Sequence, residues 1–455
     1  MVEKKRRKSK LYRLIRAVLI VQILLLAVNT TLLLFALRRY FGGANPDSEA
    51  LVAASSAESD PAGTGSGEMN GMAADEEKGA ETTADESAAE TEEPSEEERL
   101  ADEASKLLGS MELQEKVYQL FIVTQEQLTG VSVATESNEW TETCIQNYPV
   151  GGIVYFEDNI QTPEQCTAMI SGIQSYSTLG LFIAVDEEGG RVARLGNNSA
   201  MGVTSFPSMQ EIGAQGTEAA YDVGATIGAE IQQFGFNVDF APVADVYTNA
   251  ENTVIGDRAF GSDAAVAAEM VAAAVEGFHD SNLICTLKHF PGHGDTAEDS
   301  HYGTATSYKT LEQLEEEEFL PFQAGIAAGA DMVMVGHIST PNVEKAGEED
   351  NLPATLSYTM ITETLRGELG FDGVVITDSL SMQAITDNYS SAEAAVMALS
   401  AGADILLIPS DLEAAANGIL EAVNSGELTE ERIDQSLMRI LTLKLQYGII
   451  PAATE

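Results

Sequence analysis

Basic residues are scarce in this chain. Lysine and arginine number 24 against 72 aspartates and glutamates, a formal net charge of −48 over 455 residues. Such a surface repels a phosphate backbone, which argues against a nucleic-acid partner. Cysteine is scarcer still. Cys144, Cys166 and Cys285 are too few for a disulfide framework. A single Cys144–Cys166 bridge is open to the chain, but buried free thiols are the commoner outcome and the one expected. No Gly-x-Gly-x-x-Gly turn follows a first strand, so nothing marks an open dinucleotide-binding sheet. No aromatic residue occurs from Gly42 to Glu98.

That aromatic-free stretch is rich in Ala, Glu, Ser, Thr, Gly and Asp. It holds too little apolar surface to offset its ordering entropy, and its like charges extend it. We read residues 38–98 as an acidic, disordered linker, with a specific acidic docking tail as a minor alternative. Residues 1–16 before it carry Lys4, Lys5, Arg6, Arg7, Lys8, Lys10, Arg13 and Arg16. Residues 17–37 are apolar apart from Gln22, Asn29, Thr30 and Thr31, about the length of a membrane-crossing helix. The basic flank predicts a cytoplasmic N-terminus and a single-pass cell-membrane protein whose remaining chain lies outside the cell. A cleaved secretory signal is the alternative. Arg38-Arg39, rather than a small-residue cleavage site, follows the apolar run, which favours an uncleaved anchor.

From residue 99 to 455 the pattern becomes regular. Apolar runs at 120–123, 152–156, 181–185, 237–240, 284–287, 332–335, 374–377 and 405–408 alternate with helical stretches such as Ala264–His279 and Ser391–Ala401. Nearly continuous apolar strands between helices predict parallel strands buried on both faces. Eight such units predict an α/β fold of the closed (β/α)8 barrel type; an open doubly wound sheet is the structural alternative.

In a barrel, residues just past each strand converge on one rim. Here they include Asp186-Glu187-Glu188-Gly189-Gly190-Arg191 with Arg194, then Asp245, then Gly256-Asp257-Arg258, then Gly336-His337 and Asp378-Ser379. After the fifth strand comes Lys288-His289-Phe290-Pro291-Gly292-His293-Gly294-Asp295, running on to Asp299-Ser300-His301. It holds three of the five histidines in the chain. Pro291, Gly292 and Gly294 forbid a regular helix, so these imidazoles are expected on a loop. A rim this rich in charge suits a polyhydroxylated ligand. Asp378, at the end of an apolar strand, is a candidate nucleophile, or an N-cap for the next helix. Asp299 and His301 are a candidate acid/base dyad. His289 and His293 cannot share a helix face, which weakens a metal reading of the loop.

These segments together resemble glycoside hydrolase family 3, in its bacterial β-N-acetylglucosaminidase (NagZ-like) branch. The likeness rests on residues 288–301, on 186–194, on 256–261, and on Thr377-Asp378 followed by Met382, in that family's order. It implies a barrel and a retaining exo-β-N-acetylglucosaminidase acting on peptidoglycan fragments or other glycans. Asp378 would form the covalent glycosyl-enzyme. His301, oriented by Asp299, would take the acid/base role that most retaining glycosidases give to a carboxylate. Asp186, Arg194, Arg258, Lys288 and His289 would contact the sugar, and His293 would support its loop. No metal or organic cofactor is implied. Glu187 stands where the family usually has Gln, and Ala259 where it has Ser; both could alter the subsite. The barrel fills the folded region, leaving no second α/β domain of the kind many β-glucosidases of the family carry. A β-glucosidase, a broader hexosaminidase, a GlcNAc phosphorylase and, more distantly, an inactive wall-binding module remain alternatives.

Overall fold

A computed structural model of the chain describes residues 94–297, 303–343 and 352–451. The chain divides into two units, Met1–Ala88 and Ala89–Glu455, and every described residue belongs to the second. The predicted basic segment, the 17–37 span and nearly all of the acidic linker lie outside the described residues, as do Asp299 and His301. Among the described residues, no helix is long and apolar enough to cross a membrane.

The first described helix, Glu96–Gly109, starts three residues inside the stretch assigned to the linker. Its signal is local. Ser95 caps it, accepting the Glu98 N–H through Oγ at 3.2 Å, while the Glu98 carboxylate accepts the Ser95 N–H at 2.9 Å. Glu96, Glu97 and Glu98 sit at the positive end of the helix dipole, where acidic residues stabilise. The helix buries Ala104 and Leu108 and packs on the C-terminal helix Glu430–Gln446.

All eight predicted strands form: β1 Phe121–Val123, β2 Gly152–Val154, β3 Phe182–Val185, β4 Val238–Asp239, β5 Ile284–Phe290, β6 Met332–Val335, β7 Val374–Thr377 and β8 Leu406–Leu407. Each pairs in parallel with its neighbour in sequence from β1 to β7, and β8 pairs with β1. A parallel bridge between Ile376 and Ile405 closes the ring between β7 and β8. That short seam is fastened from below by buried Asp404. Its Oδ2 accepts the Val375 N–H at 3.0 Å and Arg366 Nη2 at 2.6 Å. Its Oδ1 accepts from Ser436 Oγ at 2.7 Å and Arg439 Nη1 at 3.2 Å. Packing also dictates Gly152: a Cβ there would stand 2.7 Å from the Phe182 carbonyl oxygen and 2.9 Å from Ile122 Cγ1. The three cysteines are free and buried, as expected.

One boundary differs from the sequence reading. Lys288, His289 and Phe290 belong to strand β5, not to the loop that follows. The strand continues because it still has partners on both sides. The Lys288 carbonyl accepts the Ala244 N–H at 2.6 Å, and the Phe290 carbonyl accepts the Gly336 N–H at 2.8 Å. The Phe290 ring adds packing, stacked on Phe319 and edge-on to Phe322, both at 5.3 Å between centroids. Pro291 ends the strand, and Gly292 turns the chain at φ +122°, where a Cβ would also meet the Glu318 carboxylate.

Candidate active site

The parallel strands deliver their C-terminal ends to one cavity of about 490 Å³, within the range of small-molecule sites. Asp186, Arg194, Arg258, Lys288, His289 and Asp378, all expected from the sequence to act at one site, line it. So do Glu188 and His293. Asp299 and His301 lie outside the described residues.

The charged wall is a cross-braced cluster. Lys288, buried on β5, reaches Asp186 Oδ1 at 2.7 Å and Glu188 Oε1 at 2.6 Å. Arg258 grips Glu188 with both ends of its fork, Nη2 to Oε1 at 2.7 Å and Nε to Oε2 at 2.8 Å. Arg194 Nη2 meets the other Asp186 oxygen at 3.3 Å. Burial pushes the Asp186 and Glu188 carboxyls up, but the neighbouring cations outweigh it and hold both below the usual carboxylate range. Burial opposes the charge on Lys288, and Asp186 and Glu188 more than restore it. Three cations and two carboxylates are thus held in fixed positions before any ligand arrives. Such preorganised charge suits the hydroxyls of a sugar.

Glu188 was not singled out as a site residue. It is the buried hub of this wall, and only folding brings Lys288 and Arg258 to it. Glu187, suspected of altering the subsite, does not line the cavity. Its carboxylate accepts the Leu195 N–H at 2.7 Å and the Gly196 N–H at 2.8 Å, closing the hairpin of Glu187–Gly189 and Val192–Ala193 that carries Glu188. Burial pushes its carboxyl up to about 7 against these donors. Ala259 likewise faces the core, so neither departure from the family pattern reaches the ligand space.

His289 is oriented by Asp245, a fully buried carboxylate. Asp245 Oδ2 lies 2.7 Å from His289 Nδ1, while Oδ1 accepts the backbone N–H groups of His289 and His293 at 3.1 and 2.7 Å. Asp245 was visible on the rim, but its partner was not. His293 anchors the loop through a 2.7 Å contact of Nδ1 with Thr296 Oγ1 and through its carbonyl, held by Asn252 Nδ2 at 2.6 Å. It also touches the cavity, beyond the supporting role expected of it. Burial, and after it the nearby His289, lowers its pKa.

Asp378 follows β7 directly. Its backbone N–H donates to the Val335 carbonyl at 2.8 Å, and its Oδ1 accepts the Ser379 N–H at 2.7 Å. The N-cap reading fails, because the next helix, Gln383–Thr386, is capped at Met382. His337, expected on the rim, is instead buried beneath it. Its Nε2 bonds the Ser379 carbonyl and its Nδ1 the Thr355 hydroxyl, each at 2.8 Å. An imidazole from the end of β6 therefore fixes the residue after Asp378. Phe156, Phe240, Met334, Met382 and Leu407 add apolar surface to the cavity lining, with the Arg194 guanidinium 5.6 Å from the Phe156 ring centroid.

Residues 112–443 match the family described as Glycosyl hydrolase family 3 N terminal domain. The chain belongs to glycosyl hydrolase family 3. Beta-hexosaminidase A of Pseudoalteromonas piscicida is 36% identical to this family 3 chain over 325 residues, 66% of this chain and 54% of that protein. The chain thus spans about half the length of that relative. Beta-hexosaminidase LpqI of Mycobacterium tuberculosis is 36% identical over 338 residues, 72% of this chain and 82% of that protein. Among solved structures, a glycoside hydrolase family 3 beta-N-acetylglucosaminidase from Paenibacillus sp. str. FPU-7 superposes with a TM-score of 0.70 at 40% identity, covering 76% of this chain and 64% of that one.

Proposed function

We propose that this family 3 chain is a retaining exo-β-N-acetylglucosaminidase that removes non-reducing terminal GlcNAc from peptidoglycan fragments or other glycans. The observation that carries the reading is the position of Asp378: it ends a barrel strand and faces the same cavity as the braced Asp186–Lys288–Glu188–Arg258 wall. The names of the 36% identical relatives agree with it.

In this mechanism an Asp378 oxygen bonds to the anomeric carbon as the glycosidic C–O bond breaks. The leaving oxygen takes a proton from His301, which Asp299 orients. The His301 imidazole, now neutral, accepts a proton from water. The resulting hydroxide attacks the same carbon and releases Asp378 as a carboxylate. The Ser379 N–H on Oδ1 steers the nucleophilic oxygen, and the charged wall holds the ring hydroxyls. The basic segment at 1–16 and the apolar run at 17–37 support a membrane-anchored enzyme facing the cell wall.

Asp378→Ala should lower kcat on pNP-GlcNAc by on the order of 10⁴-fold or more while leaving the folded structure intact. Substantial activity in that variant sinks the nucleophile. Faster cleavage of pNP-glucose than of pNP-GlcNAc, or phosphate-dependent release of GlcNAc-1-phosphate, would point to the β-glucosidase or phosphorylase alternative instead.

A further inference from the structure

A second cluster of ligating side chains lies at the other end of the barrel. His279 is in the last turn of the helix Ala264–Asp280, Cys285 is the second residue of β5, and Asp331 immediately precedes β6. These are the N-terminal ends of the strands, whereas Lys288 and His289, toward the C-terminal end of β5, face the sugar-sized cavity. We infer that His279, Cys285 and Asp331 form a three-ligand zinc site that ties this helix to two barrel strands.

The donor set suits the ion. One thiolate, one imidazole and one carboxylate are the sulfur, nitrogen and oxygen ligands that zinc accepts in tetrahedral sites. The spacing suits it too. His279 Nε2 lies 3.2 Å from Asp331 Oδ2 and 3.9 Å from Cys285 Sγ, and the three donor atoms are all within 4.8 Å of one another. Zinc–ligand bonds of about 2.0–2.3 Å at tetrahedral angles separate donors by roughly 3.3–3.6 Å, so the ion fits with shifts of a few tenths of an ångström to about an ångström. Among the described residues this is the one group of three such side chains that converges in this way.

The surroundings supply what else a metal site needs. Tyr447 Oη, from outside the cluster, donates to Asp331 Oδ1 at 2.7 Å, and the backbone N–H of Cys285 donates to Oδ2 at 3.0 Å, so the carboxylate is held in place. The His279 side chain is 29% exposed, which gives an ion an entry path, and Asp331 lines a cavity of about 440 Å³ beside Gly329 and Ala330. The charges balance. Binding releases the thiol proton, the imidazole gives up the Nε2 proton that faces Asp331 and is left neutral with its proton on Nδ1, and the ion's two positive charges meet one thiolate and one carboxylate. A neutral assembly is tolerable at a site where Cys285 is fully buried.

The test is cobalt(II) titration of the full chain after chelator dialysis, followed by zinc competition. The expected result is one equivalent of cobalt with a thiolate-to-cobalt charge-transfer band that zinc abolishes. Cys285→Ser should lose the band, while Cys144→Ser and Cys166→Ser should keep it. His279→Gln removes the most exposed ligand and should weaken cobalt binding at least tenfold, which decides the matter if the Cys285 variant fails to fold. Tyr447→Phe should weaken it roughly 10- to 100-fold with its ligands intact. Cobalt bound without the thiolate band, a band that survives Cys285→Ser, or unchanged affinity in His279→Gln would overturn the site and leave a hydrogen-bonded tie with no ion.

Discussion

Glu187→Gln restores the residue usual in the family and tests the electrostatics of the hairpin under the cavity. Burial is the main cause that lifts the Glu187 carboxyl from 4.5 to about 7, against the Leu195 and Gly196 N–H donors. The native state therefore holds a proton that the unfolded chain releases at lower pH. Stability from this group is fully present below the unfolded value of 4.5 and is lost as pH rises through about 7. At about 1.36 kcal/mol per tenfold change in proton affinity, the loss totals about 3 kcal/mol. A glutamine does not titrate. It offers one oxygen to the two N–H donors and turns its amide toward the other, a fixed penalty of about 1–3 kcal/mol. The variant should thus be less stable than wild type near pH 5 and gain on it by about 2.5 kcal/mol between about pH 5 and 8. Asp239, a second carboxyl pushed well up by burial, is raised further by the Glu187 charge, so removing that charge adds to the variant's gain in the same direction. Urea unfolding of both chains across this range, followed by circular dichroism, reads the effect. A stability difference that is flat with pH would refute the argument.

Asp404→Asn should cost about 3–5 kcal/mol in urea unfolding, because Arg366 and Arg439 lose their shared buried carboxylate at the barrel seam; a cost under 1 kcal/mol would mean the seam does not depend on that charge. His337→Phe should lower kcat roughly 10- to 100-fold with little change in KM, since His337 fixes the Ser379 carbonyl without lining the cavity. A raised KM at unchanged kcat would contradict that role, and His337→Gln, which can still donate to the carbonyl, should recover part of the loss. Gly152→Ala should destabilise by about 1–3 kcal/mol in thermal unfolding, because its Cβ would press on the Phe182 backbone.

The fold was legible because each strand is announced locally. Runs such as Phe182–Val185 and residues 374–376 are apolar at every position, as strands covered on both faces must be, and their alternation with helices specifies a parallel sheet. The limits of β5 were not legible. Proline and glycine mark where a strand must stop, but the pairing of Lys288 and Phe290 with residues far along the chain decides where it does stop. The same holds for the first helix, where a capping box outweighed the acidic composition around it.

For the site, barrel topology sends every strand end to one rim, which gathered the charged residues there, and the family resemblance singled out Asp186, Arg194, Arg258, Lys288, His289 and Asp378 among them. They could not assign partners. That Glu188 is the hub while its neighbour Glu187 turns to the backbone follows from the alternation of the hairpin. That His289 belongs to Asp245, and that His337 lies under the rim, follows from packing between strands. Sequence by itself determined which strands form and which charged groups gather at their ends, because both depend on local pattern. Only the tertiary structure decided which charges touch, because contact depends on distances that no spacing along the chain contains.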